Sequence, residues 1–413
     1  ELGRFTIELN VEPRRIDGRS LEQLESALRR NLNRTRDRAG DLGAGLVMIG
    51  TLPTLPTPPP GQGWFTDSDR YRALDEAVMS SRHEDITLEV TGAEQLSLTM
   101  DSISAEAACT STQLHLQVTP ERYAAYWNAA QLLAGPQLAV GANSPYLFGH
   151  QLHAETRIEV FAQSTDARSP ELRNQGVRPR VFFGDRWITS IFDLFEENVR
   201  YFPALLPITS DEDPAAVFAA GGIPTLDELR LHNGTIYRWN RPVYDVQDGR
   251  PHLRVENRVL PAGPTVVDTL ANAAFFYGAV VELVTDDRPL WSRMSFNSAR
   301  ENFAAGARNG IDARFYWPEQ GEVDAHVLVR DTLLPMAARG LARLGVDPAI
   351  AERYLDIIEA RARLRRNGAT WQVAATRSFE SAGASRPEAL RAMTRAYVQH
   401  GHGGDPVHTW PLP

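Results

Sequence analysis

L-H-N-G-T-I-Y-R-W-N-R-P-V-Y-D-V-Q-D-G-R-P-H-L-R-V-E-N-R-V-L-P-A-G-P-T-V-V-D, running from Leu231 to Asp268, is the stretch whose reading decides the fold. Two strand-like runs flank Asp248-Gly249, a dipeptide that favours the two-residue turn of a β-hairpin. On the second run His252, Arg254, Glu256 and Arg258 share one face by period-two alternation, and Leu253, Val255 and Val259 take the other. A two-residue turn sets Gln247 opposite Arg250, Arg241 opposite Glu256 and Trp239 opposite Arg258. Pro242 and Pro251 are the residues that could shift this register, because proline donates nothing to a ladder. An opposite-charge pair across a ladder is worth about 1 kcal/mol or less, too little to account for so many charges in one place. Two readings stand: an exposed face with ordinary salt bridges, or a face built for charged ligands over an aliphatic back.

Working outward, the same construction recurs. Glu1 to Pro13 alternates, with Thr6, Glu8, Asn10 and Glu12 on one side and Phe5, Ile7, Leu9 and Val11 on the other, which predicts a strand. Thr112 to Val118 sets Gln113, His115 and Gln117 against Leu114, Leu116 and Val118, another such strand. Ile86–Val90 and Gln95–Met100 read as a strand pair and Gly45–Thr51 as a short apolar strand. Ser20–Arg38 reads as a helix with Ser20 as N-cap and a Leu21, Leu24, Leu28, Leu32 stripe. Pro120 opens a second helix. Pro53–Gly63 is a proline-rich loop, read as a surface connection rather than a lid. Helices are expected over Val266–Val284, Ser298–Ile311, Val323–Leu344, Pro348–Arg365 and Pro387–His400, so the chain is strand-rich over 1–260 and mostly helical over 264–400. The expectation is an α+β fold: a curved, mainly antiparallel sheet with helices on its convex, aliphatic face, residues 1–413 forming a single domain.

The chain has 413 residues, 43% hydrophobic and 23% charged, with a net charge of -9, which argues against a general nucleic-acid binder. No run of about 20 apolar residues suggests a membrane span. The single Cys109 excludes an intramolecular disulfide, fits a reducing cytoplasm and is read as a small buried residue. The chain opens at Glu1 directly into a strand pattern, so an upstream segment is expected.

Carboxylates and imidazoles on neighbouring strands suit hard divalent cations held together with phosphates, and arginines beside them suit phosphate or carboxylate. Such a cavity points to nucleotide-dependent phosphoryl transfer. There is no phosphate-binding glycine loop, no cysteine pair for zinc and no nucleophile elbow, so a nucleotide would be held by sheet residues and metal. Within this reading Trp239 is a cavity wall or adenine neighbour rather than core. His115 is either a substrate-binding residue or a hydrogen-bonded sheet residue, and His232 either caps the first run or contacts nucleotide. Arg361–Arg366 is read as a solvated helix end, and His400, His402 and His408 as part of a flexible tail.

These residues resemble the glutamate–cysteine ligases and related ATP-dependent carboxylate–amine ligases, whose fold is similar to the catalytic domain of glutamine synthetase. The resemblance runs through nearly the whole chain: E-L-G-R-F-T-I-E from Glu1, G-T-L-P from Gly50, C-T-S-T-Q-L-H-L-Q-V from Cys109, N-S-P-Y from Asn143, T-R-I-E-V-F from Thr156, I-Y-R-W-N-R-P from Ile236, V-E-N-R from Val255 and E-N-F-A-A-G-A-R-N-G-I-D-A from Glu301. Carried over by position, it implies Glu1, Glu8 and Glu256 as metal ligands, with Gln113 where many members have a ligand His. It implies Arg258 and Arg241 at the phosphates, Arg157 at the substrate entrance and Tyr237 near the amino-acid substrate. ATP and Mg²⁺, with Mn²⁺ as substitute, are the implied cofactors, and an amino acid and an amine the implied small-molecule partners, with neither nucleic acid nor membrane and a homodimer as candidate assembly. The implied reaction phosphorylates a carboxylate, the γ-carboxylate of glutamate, and an amine such as cysteine then displaces phosphate. The family's first strand, with its Glu-x-Glu pair, has no match in the chain. That gap and Gln113 keep a second expectation open, a non-catalytic relative that binds nucleotide or amino acid as a sensor or partner subunit.

Overall fold

The computed structural model describes residues 1–413, and its eleven strands are β1 (Ile86–Thr91), β2 (Gln95–Met100), β3 (Leu114–Val118), β4 (Tyr146–Leu147), β5 (His150–Gln151), β6 (Val181–Phe182), β7 (Tyr237–Arg238), β8 (Asn240–Gln247), β9 (Arg250–Asn257), β10 (Arg314–Trp317) and β11 (Gly321–Asp324). The hairpin forms in the register its turn dictates: Gln247 pairs with Arg250 and Arg241 with Glu256. Asp248 and Gly249 both take positive φ, 51° and 69°, as a primed turn requires. Neither proline shifts the ladder. Pro242 pairs with Val255 and Pro251 with Val246, positions where the missing N–H would point away from the partner strand of the hairpin. On the far side of β9, β3 adds antiparallel with His115 opposite Glu256, so His115, Glu256 and Arg241 form one row across three strands.

The architecture is α+β and mainly antiparallel, but the single curved sheet is corrected to five small ones. The three-stranded β3-β9-β8 sheet is the largest; β1-β2, β4-β5 and β10-β11 are antiparallel pairs and β6-β7 is a parallel pair. Residues 1–13 are not a strand: Gly3 makes one isolated bridge to Phe65, and Phe5, Ile7 and Val11 are 45%, 58% and 37% exposed. Alternation marks which face is apolar, but a strand exists only where a neighbour supplies the ladder, and no ladder forms along this segment. Gly45–Thr51 is irregular for the same reason.

Helices cover the aliphatic back of the three-stranded sheet. The Tyr123–Gly141 helix donates from Trp127 Nε1 to the Asn240 carbonyl at 2.9 Å and from the Tyr123 hydroxyl to the Arg254 carbonyl at 3.2 Å. A buried amide network joins helix to sheet: Asn257 Nδ2 donates to Asn240 Oδ1 at 2.8 Å and to Gln137 Oε1 at 3.1 Å, and Asn240 Nδ2 donates to Gln131 Oε1 at 2.6 Å. The Val266–Leu283 helix is apolar enough to pass for a span by length and composition, yet it lies within the protein core.

Other boundaries differ from expectation. Ser20 does not cap the Ser20–Asp41 helix; its Oγ accepts from the Asp17 N–H at 3.0 Å. Val323–Leu344 is not one helix but the end of the β10-β11 hairpin, a helical turn, a π-helical segment and the Leu334–Arg343 helix. The Gly368–Ser381 helix carries no counterpart among the expected elements. The C-terminal histidines sit in ordered structure, with His400 stacked on Trp410 and beside Trp371. Arg361 is not solvated: it is buried and bonded to Asp268 at 2.6 Å and to Asn272 Oδ1 at 2.7 Å.

The Leu334–Arg343 helix packs on Val266–Leu283 through glycines. A Cβ on Gly340 would lie 1.8 Å from the Gly278 carbonyl oxygen, a contact no side chain tolerates. Gly340→Ala is expected to destabilise by about 3 kcal/mol through forced separation of the helices. Gly40→Ala, in the open at the end of the first helix with nothing within 4 Å, is expected to stabilise by about 0.5 kcal/mol. Urea unfolding midpoints of the two variants check the opposite signs.

Candidate functional site

The polar face of the three-stranded sheet floors a cavity of about 1190 Å³. Gln113, His115, Gln117, Arg254 and Arg258 line it from the sheet, and the strap from Phe5 to Arg14 lines it as well. Tyr237, Trp239 and Arg157 line it too, as do Glu106 and Cys109, and the hairpin tip from Gln247 to Pro251 reaches it. Thus Glu1, Glu8, Gln113, His115, Arg157, Tyr237, Trp239 and Arg258 share one cavity, whereas Glu256, Arg241 and His232 do not line it.

Glu256 is 2% exposed, and both its oxygens accept from Arg241, through Nε and, at 3.1 Å, through Nη2. His115 Nε2 stands 3.7 Å from the same carboxylate. Burial opposes ionisation of Glu256, but Arg241 and Arg258 outweigh it and hold the carboxyl below its ordinary value. Glu256, expected as a metal ligand, is in this structure paired with Arg241 and does not line the cavity. Burial lowers the His115 pKa despite Glu256, which leaves the imidazole neutral at pH 7. Arg258 is different. It lines the cavity without a salt bridge, and its backbone N–H donates to the Trp239 carbonyl at 2.8 Å. Burial and the nearby Arg241 charge lower its pKa, yet a guanidinium stays charged. An unpaired, half-buried guanidinium on a cavity floor is an anion site.

Glu1 and Glu8 are neighbours in the lining of the cavity. A hydrogen bond from Glu1, followed by burial and the Glu1 charge, raises the Glu8 carboxyl above its ordinary value. Glu1 is held in place: its carbonyl accepts from the Thr66 hydroxyl at 2.7 Å, and the Leu2 carbonyl accepts from the Thr66 N–H at 2.8 Å. Two carboxyls this close share either a proton or a cation. The pair fits Mg²⁺, which is bound through one or two carboxylates together with waters and phosphate oxygens. An all-protein cage does not fit, because nowhere do three His, Cys, Asp or Glu side chains form a group that could hold a metal.

Arg157 is placed by a lock built from the N-S-P-Y and T-R-I-E segments. Glu155, fully buried, accepts from the Asn143 N–H at 2.9 Å, from the Ser144 hydroxyl and from Arg157 Nε at 3.2 Å. The guanidinium then lies 5.7 Å from the Trp239 ring centroid. Arg157 is thus a buried wall residue rather than an exposed entrance. Trp239, 5% exposed, is both core and cavity wall, packed on Phe161 and Phe303. Tyr237 packs edge-on against Phe161, and burial pushes its hydroxyl up to about 12. His232 lies on the Asp227–Asn233 helix with Nε2 2.9 Å from the Phe202 carbonyl oxygen, so it ties that helix to its neighbour and reaches neither the first run's start nor the cavity. Cys109 is half-buried on the cavity wall, and burial pushes its thiol up, away from reactivity. The proline loop is pinned as a surface connection: the Gly61 N–H donates to Asp101 at 2.7 Å, and Gln62 Nε2 to Asp75 at 2.8 Å.

Glu106 is the site residue that sequence reasoning missed. It stands on the short Ser104–Ala108 turn of helix and lines the cavity near Glu1, Tyr237 and Arg258. The available signal was a lone charge inside the small-residue run S-A-E-A-A. Burial and the Glu1 charge push its carboxyl up to about 7. A raised carboxyl keeps its proton longer in the folded state than in the unfolded one, so stability is lost as pH rises from about 4.5 through about 7. Glu106→Gln is expected to stabilise the protein by about 1–3 kcal/mol at pH 8 and by much less at pH 5. Denaturant melts at both pH values check it.

The sequence model of the family described as Glutamate-cysteine ligase family 2 matches residues 1–402 of the 413. No curated protein matches the chain.

Proposed function

The chain belongs to Glutamate-cysteine ligase family 2, and from that premise we propose that it is an ATP- and Mg²⁺-dependent ligase joining the γ-carboxylate of glutamate to an amine such as cysteine. The family carries the coarser statement, an amide-forming ligase of glutamate–cysteine ligase type. The observation that supports the finer one is the presence, in the lining of one cavity, of the unpaired Arg258 and the Glu1–Glu8 carboxyl pair.

In this reading Arg258 binds the transferring phosphoryl group, with Arg241 fixed behind it by Glu256. Glu1 and Glu8, with Gln113 in the lining of the same cavity, would hold Mg²⁺, which would neutralise phosphate charge there. Trp239 bounds the nucleotide end, and Tyr237, Arg157 and His115 the amino-acid end. A carboxylate oxygen forms a bond to the γ-phosphorus as the bond to ADP breaks. The amine nitrogen then attacks the acyl carbon, the carbon–oxygen bond to phosphate breaks, and the nitrogen loses one proton. Phosphate leaves far more readily than hydroxide, so the amide forms in water. The cavity encloses the reaction within a single catalytic domain of residues 1–413, working in the cytoplasm on small molecules.

ADP release with L-glutamate and a panel of amines tests the proposal. Turnover that needs both Mg²⁺ and one amine supports it, and ATP binding with no turnover for any amine favours the sensor reading instead. Arg258→Lys loses the forked geometry and is expected to lower kcat about a hundredfold with a smaller effect on ATP binding. Equal losses in rate and binding would contradict a role for Arg258 in the transition state.

A further inference from the structure

Glu106 is a cavity carboxyl that no protein group engages. Local sequence places it. In S-A-E-A-A the small residues Ala105, Ala107 and Ala108 are buried, and the glutamate between them is left to reach the cavity. The turn that carries it is held at several points. The Ser102 hydroxyl donates to the Gly61 carbonyl at 2.9 Å, and the Ile103 N–H donates to Asp75 Oδ1 at 2.9 Å. The Cys109 N–H donates to the Glu106 carbonyl at 2.9 Å. The carboxyl itself accepts no hydrogen bond and joins no ion pair; only burial and through-space charge, that of Glu1 and Arg258 foremost, act on it. It is half-buried, and its unpartnered oxygens are open to solvent, not sealed in the core. A carboxylate partly removed from water without a partner costs free energy, which a ligand carrying N–H donors and positive charge would recover.

The surroundings say which cation that is. A metal ion is disfavoured here, since Glu106 forms no group with Glu1 and Glu8 that could hold one. That leaves an ammonium. On the ligase reading two ammonium groups enter the cavity, that of glutamate and that of the acceptor. Glu106 feels the charges of Arg258 and Glu1, the groups that this reading sets around the phosphoryl, and its own charge acts on Tyr237. The acceptor nitrogen must come within bonding distance of the acyl carbon that bears the phosphoryl, whereas the α-ammonium of glutamate lies at the other end of that molecule's carbon chain. Resting on the ligase reading, we propose that Glu106 binds the ammonium of the acceptor beside the phosphoryl site and so selects a cationic amine. An ammonium brought to the carboxylate favours its ionised form, and the contact is a charge-assisted hydrogen bond.

Glu106→Gln keeps the size of the side chain and removes its charge. Steady-state ADP release near pH 8, with ATP, Mg²⁺ and L-glutamate, is compared for L-cysteine and for hydroxylamine, a nucleophile that is uncharged at that pH. The variant is expected to lose about tenfold or more in kcat/KM for cysteine, with the values for hydroxylamine, ATP and glutamate changed by less than about twofold. Equal losses for both nucleophiles would mark a merely structural residue and overturn the proposal. So would an unchanged rate with cysteine, or a loss that appears in the KM for glutamate. Absence of turnover with every nucleophile defeats the ligase reading, and binding then decides the role of Glu106 by itself. In calorimetric titration of the full chain with L-cysteine in the presence of ADP and Mg²⁺, Glu106→Gln is expected to weaken binding about tenfold or more. N-acetyl-L-cysteine, which lacks the ammonium, is expected to bind both proteins alike. Equal affinity of the two proteins for cysteine, or no binding of cysteine to the wild type, overturns the proposal.

Discussion

The row His115–Glu256–Arg241 is the constraint on which the rest depends. It joins three strands at one level, and its centre is a carboxylate taken almost wholly out of water. An unpaired carboxylate there would cost several kcal/mol, and removal of Arg241 alone would leave that cost uncompensated. The pair is therefore coupled to the pairing register: β8 and β9 can slip only by separating it. With the register held, Arg258 must emerge two residues on from Glu256, just past the end of β9 and free of any salt bridge, and it joins the cavity lining there.

The part of the lining that residues 1–13 supply is assembled by other means. Residues 1–13 make no ladder, yet Glu1 is pinned by Thr66, Arg4 N–H bonds to the Trp64 carbonyl, and Asn31 Nδ2 bonds to the Asn10 carbonyl. A segment tied at a few points along its length brings Glu1 and Glu8 into the cavity lining without belonging to the sheet. The resulting cavity sets acidic groups against guanidinium groups, an arrangement that favours a ligand carrying both metal and phosphate over a simple anion or cation.

What was legible in the sequence follows from the range of the interactions involved. The hairpin was readable because Asp248-Gly249 sets its own turn and the alternation on either side counts outward from it. The leucine stripe of the Ser20–Asp41 helix was readable for the same local reason. Pairing between distant segments was not: the alternation of Phe5, Ile7, Leu9 and Val11 describes a potential strand, and only a neighbour could make it one. Burial of charge was equally hidden. Glu256 and Arg258 look alike in V-E-N-R, yet one lies locked beneath the floor and the other is open to the cavity. Glu106 escaped because its position depends on a helical turn brought near Tyr237 and Arg258 by tertiary packing alone. Gly340 was passed over because its reason lies in Gly278, on a different helix.

The most direct measurement of the central claim follows an oxygen atom. With glutamate carrying ¹⁸O in its γ-carboxylate, the account predicts that amide formation delivers one ¹⁸O into the released phosphate, visible as an isotope shift in its ³¹P resonance. Amide product accompanied by unlabelled phosphate would show that the carboxylate is never phosphorylated, and would contradict the chemistry assigned to this cavity.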